Sequence, residues 1–324
     1  MCRQRKVEKE NTMDMNELRS RIDEIDAEMV ELYKKRLGIV EQIGAYKREN
    51  GLPVYDGERE RKLLDKAGAQ AGEKYEGGVR AMFRLLMDES RTRQLMDNGS
   101  KSVLKEMIDH AVQNTDPLFP SEAAVACLGV EDTYSRTACE RLFRASSIMY
   151  CKTMESVFDA IESGLCRYGI LPVGSSTEGF VNRVYDLMIR HHFYIVRSVR
   201  VRTGCTPCCG SSFTADDVPM NSNDGIRFIC ISKNLEIYPG VDRTGMALVL
   251  ADRPGSLWQL LSRFYARNIN LTKLESRSIP GRDEWMCCIE IDTPVSSPSF
   301  TGLIEELDVT MESFSYLGSY MELV

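Results

Sequence analysis

Three basic residues on one predicted helix are the first candidates for chemistry in this sequence. Arg36 and Lys47 are eleven residues apart, nearly three helical turns, so both lie on one face about 16 Å apart at the backbone. Their long side chains could close on a small dianion. Arg19 lies roughly 42 Å from Lys47 along the same helix, so it can join such a site only from a second chain packed antiparallel.

The spacing of apolar residues predicts the helix that positions these cations. Apolar side chains recur at steps of four and three along one seam, which Arg36 interrupts: Leu18, Ile22, Ile25, Met29, Leu32, Ile39 and Ile43. Gly51 and Pro53 are expected to end this helix. A single exposed seam of this length favours a partner helix.

Two further helices are expected at residues 57–69 and 75–97. The second of them carries Ser90 and Gln94 on its inward stripe. A charged residue on an apolar seam is costly unless it is paired. Two explanations remain open at this point. Either Arg36 pairs with an internal carboxylate while Ser90 and Gln94 share a core hydrogen bond, or the three residues line a polar site.

Residues 15–98 resemble the all-helical chorismate mutases. Two motifs carry the resemblance: Leu18-Arg19-Ser20-Arg21-Ile22-Asp23 and Asp56-Gly57-Glu58-Arg59-Glu60-Arg61. All eight site positions of that family are filled in register: Arg19, Arg36, Lys47, Asp56, Arg59, Glu60, Ser90 and Gln94. The resemblance implies an intertwined homodimer with two sites, each borrowing Arg19 from the other chain. It also implies rearrangement of chorismate to prephenate, which needs no cofactor.

The resemblance further implies a task for each site residue. Arg36 and the partner's Arg19 hold the two carboxylates, with Ser90 near one of them, because a guanidinium matches a carboxylate with two hydrogen bonds. Lys47 and Gln94 contact the ether oxygen, where charge builds during the rearrangement. The ring hydroxyl is oriented by residues of the second helix: Glu60, with Asp56 and Arg59 nearby.

Residues 122–235 alternate short apolar runs with helical patterns, which is typical of an α/β domain. This zone resembles the first lobe of prephenate dehydratase. The matching residues are Gly129, Glu131, Thr133-Tyr134-Ser135, Pro172, Ser176-Thr177-Glu178-Gly179, Asn182 and Arg227-Phe228.

Departures from the dehydratase pattern are as informative as the matches. The threonine that the family uses in catalysis is Ile226 here, and isoleucine has no hydroxyl to donate. Only residues 203–225 stand where the family inserts a second lobe, so one wall of the active-site cleft is missing. We therefore expect a single-lobe domain without dehydratase activity, with these degenerate positions: Thr133, Ser176, Thr177, Ile226, Arg227 and Phe228.

Residues 244–324 repeat a strand–helix–strand rhythm twice, which predicts a βαββαβ fold with a four-stranded sheet. The segments 252–258 and 268–277 resemble the ACT regulatory domains of phenylalanine-sensing enzymes. The resemblance implies that phenylalanine or a related aromatic binds at a dimer interface of these domains. The implied effector-binding residues are Gly255, Ser256, Leu257, Trp258, Glu275, Ser276 and Arg277. Backbone amides at a helix start suit a carboxylate, and the bulk of Trp258 could alter ligand choice.

Composition excludes several classes of protein. The net charge of −7 argues against nucleic acid binding, and no apolar run approaches the roughly 18 residues of a membrane span. Residues 1–14 lack the apolar segment of a signal peptide, so we expect a disordered lead, with Met13 or Met15 as an alternative start, and a cytoplasmic protein.

Cysteine usage agrees with a reducing compartment. The 11 cysteines are scattered and odd in number, which indicates reduced, buried thiols. Cys205, Cys208 and Cys209 form a tighter cluster without a second pair of ligands, so we expect a plain loop and no metal.

Together these patterns predict a multidomain protein. Its parts are an all-α three-helix mutase at 15–98, a linker at 99–121, a truncated dehydratase-like α/β domain at 122–235 and an α+β ACT domain at 244–324. The expected function is a chorismate mutase regulated through the ACT domain, assembled as a homodimer or higher homo-oligomer. Three alternatives stay open: a fully bifunctional mutase and dehydratase, an isochorismate pyruvate lyase, and a non-catalytic sensor of aromatic amino acids.

Overall fold

A computed structural model describes residues 14–96, 102–130, 134–173, 178–201, 225–311 and 313–323, without the side chains of residues 178–182. The contacts divide the chain into two compact units, with the boundary between Ser100 and Lys101. Several residues singled out in the sequence lie outside the described part: Glu131, Thr133, Ser176, Thr177, Cys205, Cys208 and Cys209.

Residues 14–96 of the first unit form three helices, as the apolar spacing predicts: α1 (Met15–Glu49), α2 (Gly57–Ala71) and α3 (Glu76–Met96). Asp56 begins α2 by accepting a hydrogen bond from the backbone N–H of Arg59 at 3.0 Å. The chain leaves α1 and α2 through Gly51 and Gly72, whose φ angles of 63° and 72° suit glycine.

The two halves of α1 differ in burial. In its second half, Leu37, Val40 and Gly44 are buried, and α1 packs on α3 there. In its first half, every residue up to position 35 is exposed, including Ile22 at 57% and Leu32 at 63%. Within one chain the predicted seam is therefore largely uncovered, because Arg36 and Ile43 are partly buried but Ile39 is 58% exposed, and the buried residues Leu37, Val40 and Gly44 lie beside the seam.

The second unit is built on a nine-stranded sheet of order β2-β1-β3-β5-β4-β9-β6-β8-β7. Its strands are β1 (Glu122–Leu128), β2 (Ala145–Cys151), β3 (Tyr168–Pro172), β4 (Tyr194–Val201), β5 (Ile226–Ser232), β6 (Arg243–Ala251), β7 (Leu271–Ser278), β8 (Glu284–Ile291) and β9 (Phe314–Leu323). Its helices are α4 (Val103–Asn114), α5 (Tyr134–Leu142), α6 (Met154–Glu162), α7 (Glu178–His191), α8 (Ser256–Ala266) and α9 (Pro298–Thr310).

Alternation along the strands decides which helices cover each face. Cys127 of β1 and Cys230 of β5 pack in the cluster that includes α5. Their neighbours Ala126 and Ile229 pack in the cluster that includes α6 and α7. Successive side chains of a strand point to opposite faces, so the dehydratase-like half is a sheet between two helical layers.

The C-terminal half has the predicted βαββαβ order, with strands arranged β9-β6-β8-β7. Leu248, Ile289 and Leu303 belong to the cluster that packs α8 and α9 on one face of this sheet. Strand β9 then pairs in parallel with β4, through Arg197 opposite Met321. The expected separate domains at 122–235 and 244–324 are thus joined edge to edge into one sheet.

A glycine permits this close join. Gly318 has a φ of 118°, and a Cβ there would lie 2.4 Å from the backbone oxygen of Ile195. No other residue type fits that approach without moving the backbone of β4.

The predicted linker at 99–121 needs a correction. Residues 103–114 form helix α4, which packs against α9. Ser102 begins α4 by accepting from the N–H of Lys105 at 3.0 Å, and its hydroxyl donates to Asp308 of α9 at 2.8 Å. Ile108 is buried with the C-terminal core, so apolar burial holds this helix in place. Within the described ranges, no helix is both long and apolar enough to cross a membrane.

Candidate functional site

The structure brings Arg36 of α1 to Ser90 of α3. Nη1 of Arg36 donates to Ser90 Oγ at 2.6 Å and to the backbone oxygen of Leu86 at 2.9 Å. Burial lowers the pKa of Arg36 from its ordinary value, although arginine stays charged at neutral pH. No carboxylate in the described ranges forms an ion pair with Arg36. The first of the two explanations, pairing with an internal carboxylate, is therefore not what the described residues adopt.

Gln94 lies one helical turn beyond Ser90 and is buried. Its Nε2 donates to the backbone oxygen of Ser90 at 3.1 Å, whereas its Oε1 has no hydrogen-bond partner among the described residues. Such a buried, unpaired acceptor costs about 1–3 kcal/mol. Gly44 of α1 makes the room, because a Cβ there would lie 3.1 Å from Gln94 Cγ. The amide therefore lies against α1, where half a turn about its last torsion would present a donor instead.

Lys47 lies one turn beyond Gly44 on α1 and is partly buried. Its Nζ donates to the backbone oxygen of Val54 at 2.6 Å, which ties it to the turn before α2. Lys47 and Arg36 therefore donate to different oxygens, Val54 O for the lysine and Ser90 Oγ and Leu86 O for the arginine. Helix α1 thus carries two cations, Arg36 and Lys47, that donate to neutral oxygens. The buried amide of Gln94 on α3 lies against α1 between them.

The charged residues at the start of α2 make different contacts. Asp56 serves as the N-cap of α2, so its carboxylate already has a structural task. Glu60 forms an ion pair with Arg91 of α3, at 3.1 Å from Arg91 Nη1. Arg59 contributes its backbone N–H to the cap. Arg91 was not among the sequence-predicted residues, and its position directly after Ser90 is the signal that could have drawn attention to it.

Arg19 is exposed on the first half of α1. Along α1 it is separated from Arg36 by 17 positions, or roughly 25 Å. One chain therefore assembles Arg36, Ser90 and Gln94 and leaves Arg19 apart from them.

At the degenerate dehydratase positions, β5 directs its polar side chain into the protein. Ile226 and Phe228 are buried in the core beneath α5. Arg227 pairs with Glu290 of β8 at 2.8 Å, with side chains only 8% and 6% exposed. Arg227 also lies 3.2 Å from Glu322 of β9. The arginine is therefore committed to carboxylates of the C-terminal strands.

The ion pair of Arg227 is part of a larger buried network. Glu322 also pairs with Arg200 at 2.9 Å and with Arg243 at 3.1 Å. The hydroxyl of Tyr320 accepts from Arg227 Nη2 at 3.1 Å. Since these residues come from β4, β5, β6 and β9, the network ties the two halves of the sheet together.

The predicted effector residues lie at one end of the C-terminal sheet. Gly255, with a φ of 92°, is the N-cap of α8, and Leu257 and Trp258 behind it are exposed. Strand pairing sets Arg277 opposite Met286, which is opposite Val249 on the other side. The turn after β6 and the end of β7 are thus at the same end of the sheet, two strands apart.

Their polar groups are partly engaged. Arg277 forms an ion pair with Asp186 of α7, and Glu275 pairs with Lys273 at 3.2 Å. Ser276 is exposed on the edge strand. The hydroxyl oxygen of Ser256 is buried without a hydrogen-bond partner in the part of the chain that is described. One end of the effector segment is therefore linked to the dehydratase-like half through α7.

Metal-binding groups do not cluster in the described ranges, where no three His, Cys, Asp or Glu side chains could share an ion. Seven described cysteines are free and buried, among them Cys127 and Cys139. Burial raises the pKa of Cys151, which keeps that thiol protonated and unreactive.

Family comparisons agree with this division of the chain. Residues 18–95 match the family chorismate mutase type II, and residues 125–208 match prephenate dehydratase. A bifunctional chorismate mutase/prephenate dehydratase of Aquifex aeolicus is 23% identical over 374 residues, covering 95% of this chain and 98% of that protein. One of the same description from Pseudomonas aeruginosa is 22% identical over 381 residues, covering 95% and 97%.

Solved structures of similar fold cover about three fifths of this chain. A prephenate dehydratase from Arthrobacter aurescens, described in complex with L-Phe, aligns with a TM-score of 0.50 at 18% identity, covering 61% of this chain and 90% of that one. GqqA, described as a quorum quenching acylase, aligns with a TM-score of 0.50 at 20% identity, covering 61% and 94%. At such identities the likeness concerns the fold alone. The chain therefore combines a segment of the chorismate mutase type II family with a segment of the prephenate dehydratase family, and it aligns over 95% of its length with relatives described as bifunctional chorismate mutase/prephenate dehydratases.

Proposed function

We propose that this protein is a chorismate mutase, regulated through its C-terminal ACT-like half, whose dehydratase-like half no longer dehydrates prephenate. The observation that carries the mutase assignment is Arg36, a half-buried cation with neutral oxygen partners at Ser90 and Leu86. Keeping a cation there is costly unless an anion arrives to pair with it. Chorismate, with two carboxylates, supplies that anion.

The rearrangement breaks one C–O bond as one C–C bond forms within the same molecule. No nucleophile or proton transfer is needed, so the protein acts by holding the reactive conformer and stabilising charge on the ether oxygen. Arg36, with Ser90 beside it, takes one carboxylate. Lys47 and Gln94 contact the ether oxygen. The unpaired atom of the Gln94 amide is the acceptor Oε1, so the amide must turn by half a rotation to present Nε2, the donor that the ether oxygen requires. Glu60 orients the ring hydroxyl.

A second chain completes the site in this proposal. The exposed apolar seam on the first half of α1 includes Leu18, Ile25 and Met29, and it favours burial against the same seam of another copy. Antiparallel packing of two α1 helices would carry the partner's Arg19 toward Arg36. The test of the whole proposal is a chorismate turnover assay with detection of prephenate. Salicylate formed from isochorismate would instead favour the pyruvate lyase.

We expect the kcat/KM for chorismate not to fall steeply as the pH rises toward neutrality. Gln94 is a neutral donor with no titrating proton, so the site does not depend on a protonated carboxylic acid at the ether oxygen. Activity is therefore expected to extend above pH 7. Measuring kcat/KM from pH 5 to 9 checks this, and a steep loss as the pH rises through 6 would contradict the role of Gln94.

Loss of dehydratase activity is proposed from three features. Ile226 has no hydroxyl, Arg227 is held by Glu290, and residues 203–225 are too few for a second lobe. The alignment with the Aquifex relative is also longer than this chain, so that relative contains stretches without a counterpart here. The rival is a fully bifunctional enzyme, favoured by the descriptions of the relatives.

The two possibilities predict opposite results with prephenate. We expect the protein to form phenylpyruvate no faster than the spontaneous reaction at neutral pH, because the constellation for dehydration is incomplete. The assay follows phenylpyruvate by absorbance, with boiled protein as the control. Protein-dependent formation above that control would establish the bifunctional enzyme.

Regulation is proposed from the ACT-like half. The apolar residues Leu257 and Trp258 beside the α8 start, and the unpaired hydroxyl of Ser256, support binding of an aromatic amino acid. We expect phenylalanine to give heat on calorimetric titration and to change chorismate turnover by about fivefold or more. Absence of heat with phenylalanine, tyrosine, tryptophan and prephenate would remove the sensor role.

A further inference from the structure

The ion pair between α2 and α3 assigns a residue to the mutase site beyond the eight predicted ones. We infer that Arg91 is a positioning residue, which holds the Glu60 carboxylate toward the ring hydroxyl of the substrate. This inference rests on the proposed mutase function.

The contacts of Arg91 are directional. Its Nη1 lies 3.1 Å and 3.2 Å from the two carboxylate oxygens of Glu60. Its Nη2 bonds Asp88, one turn earlier on α3. The side chains of Arg91, Glu60 and Asp88 are 25%, 23% and 17% exposed. A guanidinium fixed at one end by Asp88 can orient a carboxylate at the other, because its donors are held in a rigid plane.

The ring of Tyr55 adds a third constraint. The central carbon of the Arg91 guanidinium lies 5.6 Å from the centroid of that ring. This distance falls within the range of cation–π attraction. Arg91 is thus held on three sides, by α2, by α3 and by the turn before α2.

Helix geometry explains why one turn of α3 can serve both ends of the substrate. Adjacent helical residues point about 100° apart. Ser90 therefore reaches Arg36 on α1, while Arg91, the next residue, reaches Glu60 on α2. The backbone of α3 sets the separation between the group that takes a carboxylate and the group that takes the hydroxyl.

The experiment compares Arg91→Met with Arg93→Met. Methionine keeps length and helix propensity while removing the charge. Arg93 is a matched control on the same helix, since it pairs with Glu89 at 3.0 Å and with Glu41 of α1 at 3.9 Å, and not with Glu60. Both variants are assayed with chorismate and with an analogue that lacks the ring hydroxyl. Circular dichroism and thermal unfolding verify that each variant folds.

We expect Arg91→Met to lower kcat/KM for chorismate by about tenfold to a hundredfold, a typical effect of a misplaced group. The analogue should lose no more than about threefold, and Arg93→Met should resemble the wild type. Arg91→Lys should recover part of the loss. In the Glu60→Gln background, Arg91→Met should cost little more, because the two residues act as a unit.

The possible failures are distinguishable. Equal losses on chorismate and on the analogue would mean a structural role and would overturn the inference. Unchanged turnover in a folded Arg91→Met protein would reject the inference alone. No chorismate turnover by the wild type would reject the proposed function, and the inference with it.

Discussion

Arg36→Ala is expected to lower kcat/KM for chorismate by about 100- to 1000-fold, the range seen when one charged or preorganised donor is removed from a transition-state site. Arg36 is a half-buried cation between α1 and α3. Its Nη1 donates to Ser90 Oγ at 2.6 Å, which orients the guanidinium. Alanine removes both the charge and the two-pronged geometry that fits a carboxylate. Steady-state turnover of chorismate over a range of concentrations measures the effect.

Two controls separate catalysis from folding in that experiment. Lys34→Ala removes a cation two residues away on α1 that pairs, among the described residues, only with exposed Glu31 at 2.9 Å, and it should leave the rate unchanged. Arg36→Lys keeps the charge but not the fork, and an intermediate rate is expected. An unchanged rate in Arg36→Ala, with the protein folded, would favour a non-catalytic sensor over the enzyme.

Local periodicity explains why α1 and its site residues could be predicted. Apolar residues at steps of four and three define one face of the helix. This spacing alone predicts that Arg36 lies on that face of α1. The same argument on α3 places Ser90 and Gln94 inward, and both are buried. Periodicity says nothing about partners on other helices. The Arg91 and Glu60 pair was therefore missed, because it depends on how α2 and α3 pack.

Long-range pairing explains the other misses. Strand β2 is an edge strand with mixed polar and apolar residues, so its pattern is weak. The sequence analysis predicts a linker where helix α4 lies, although Ile108 and Ala111 form a short buried stripe on that helix. The join of β4 to β9 involves residues more than a hundred positions apart, and no local pattern records it. Similarly, Ile226 shows from the sequence alone that a hydroxyl is missing. The pairing of Arg227 with Glu290 of β8 is a long-range contact that the sequence of β5 does not predict.

Arg227→Ala is expected to destabilise the larger unit by about 3–5 kcal/mol, the cost of leaving a buried charge uncompensated. Arg227 is the only ion-pair partner of Glu290 in the described part of the chain, and both side chains are nearly inaccessible. Glu322 would keep Arg200 and Arg243, so the main penalty falls on Glu290. The Glu290 carboxylate would then be buried without a counter-charge, which lowers the free energy of unfolding.

Urea unfolding followed by tryptophan fluorescence measures this effect selectively. The chain has two tryptophans, Trp258 and Trp285, and both belong to the unit that begins at residue 101. Arg282→Ala is the matched control, because it breaks an exposed pair with Glu284, at 3.4 Å, and should cost less than about 1 kcal/mol. Replacing Arg227 by Met and Glu290 by Gln together should recover much of the loss, since no lone charge then remains buried. A shift for Arg227→Ala no larger than that of Arg282→Ala would mean that the network does not hold the two halves of the sheet together. Arg227 would then be available to bind a substrate, and the proposed loss of dehydratase activity would lose one of its three supporting features.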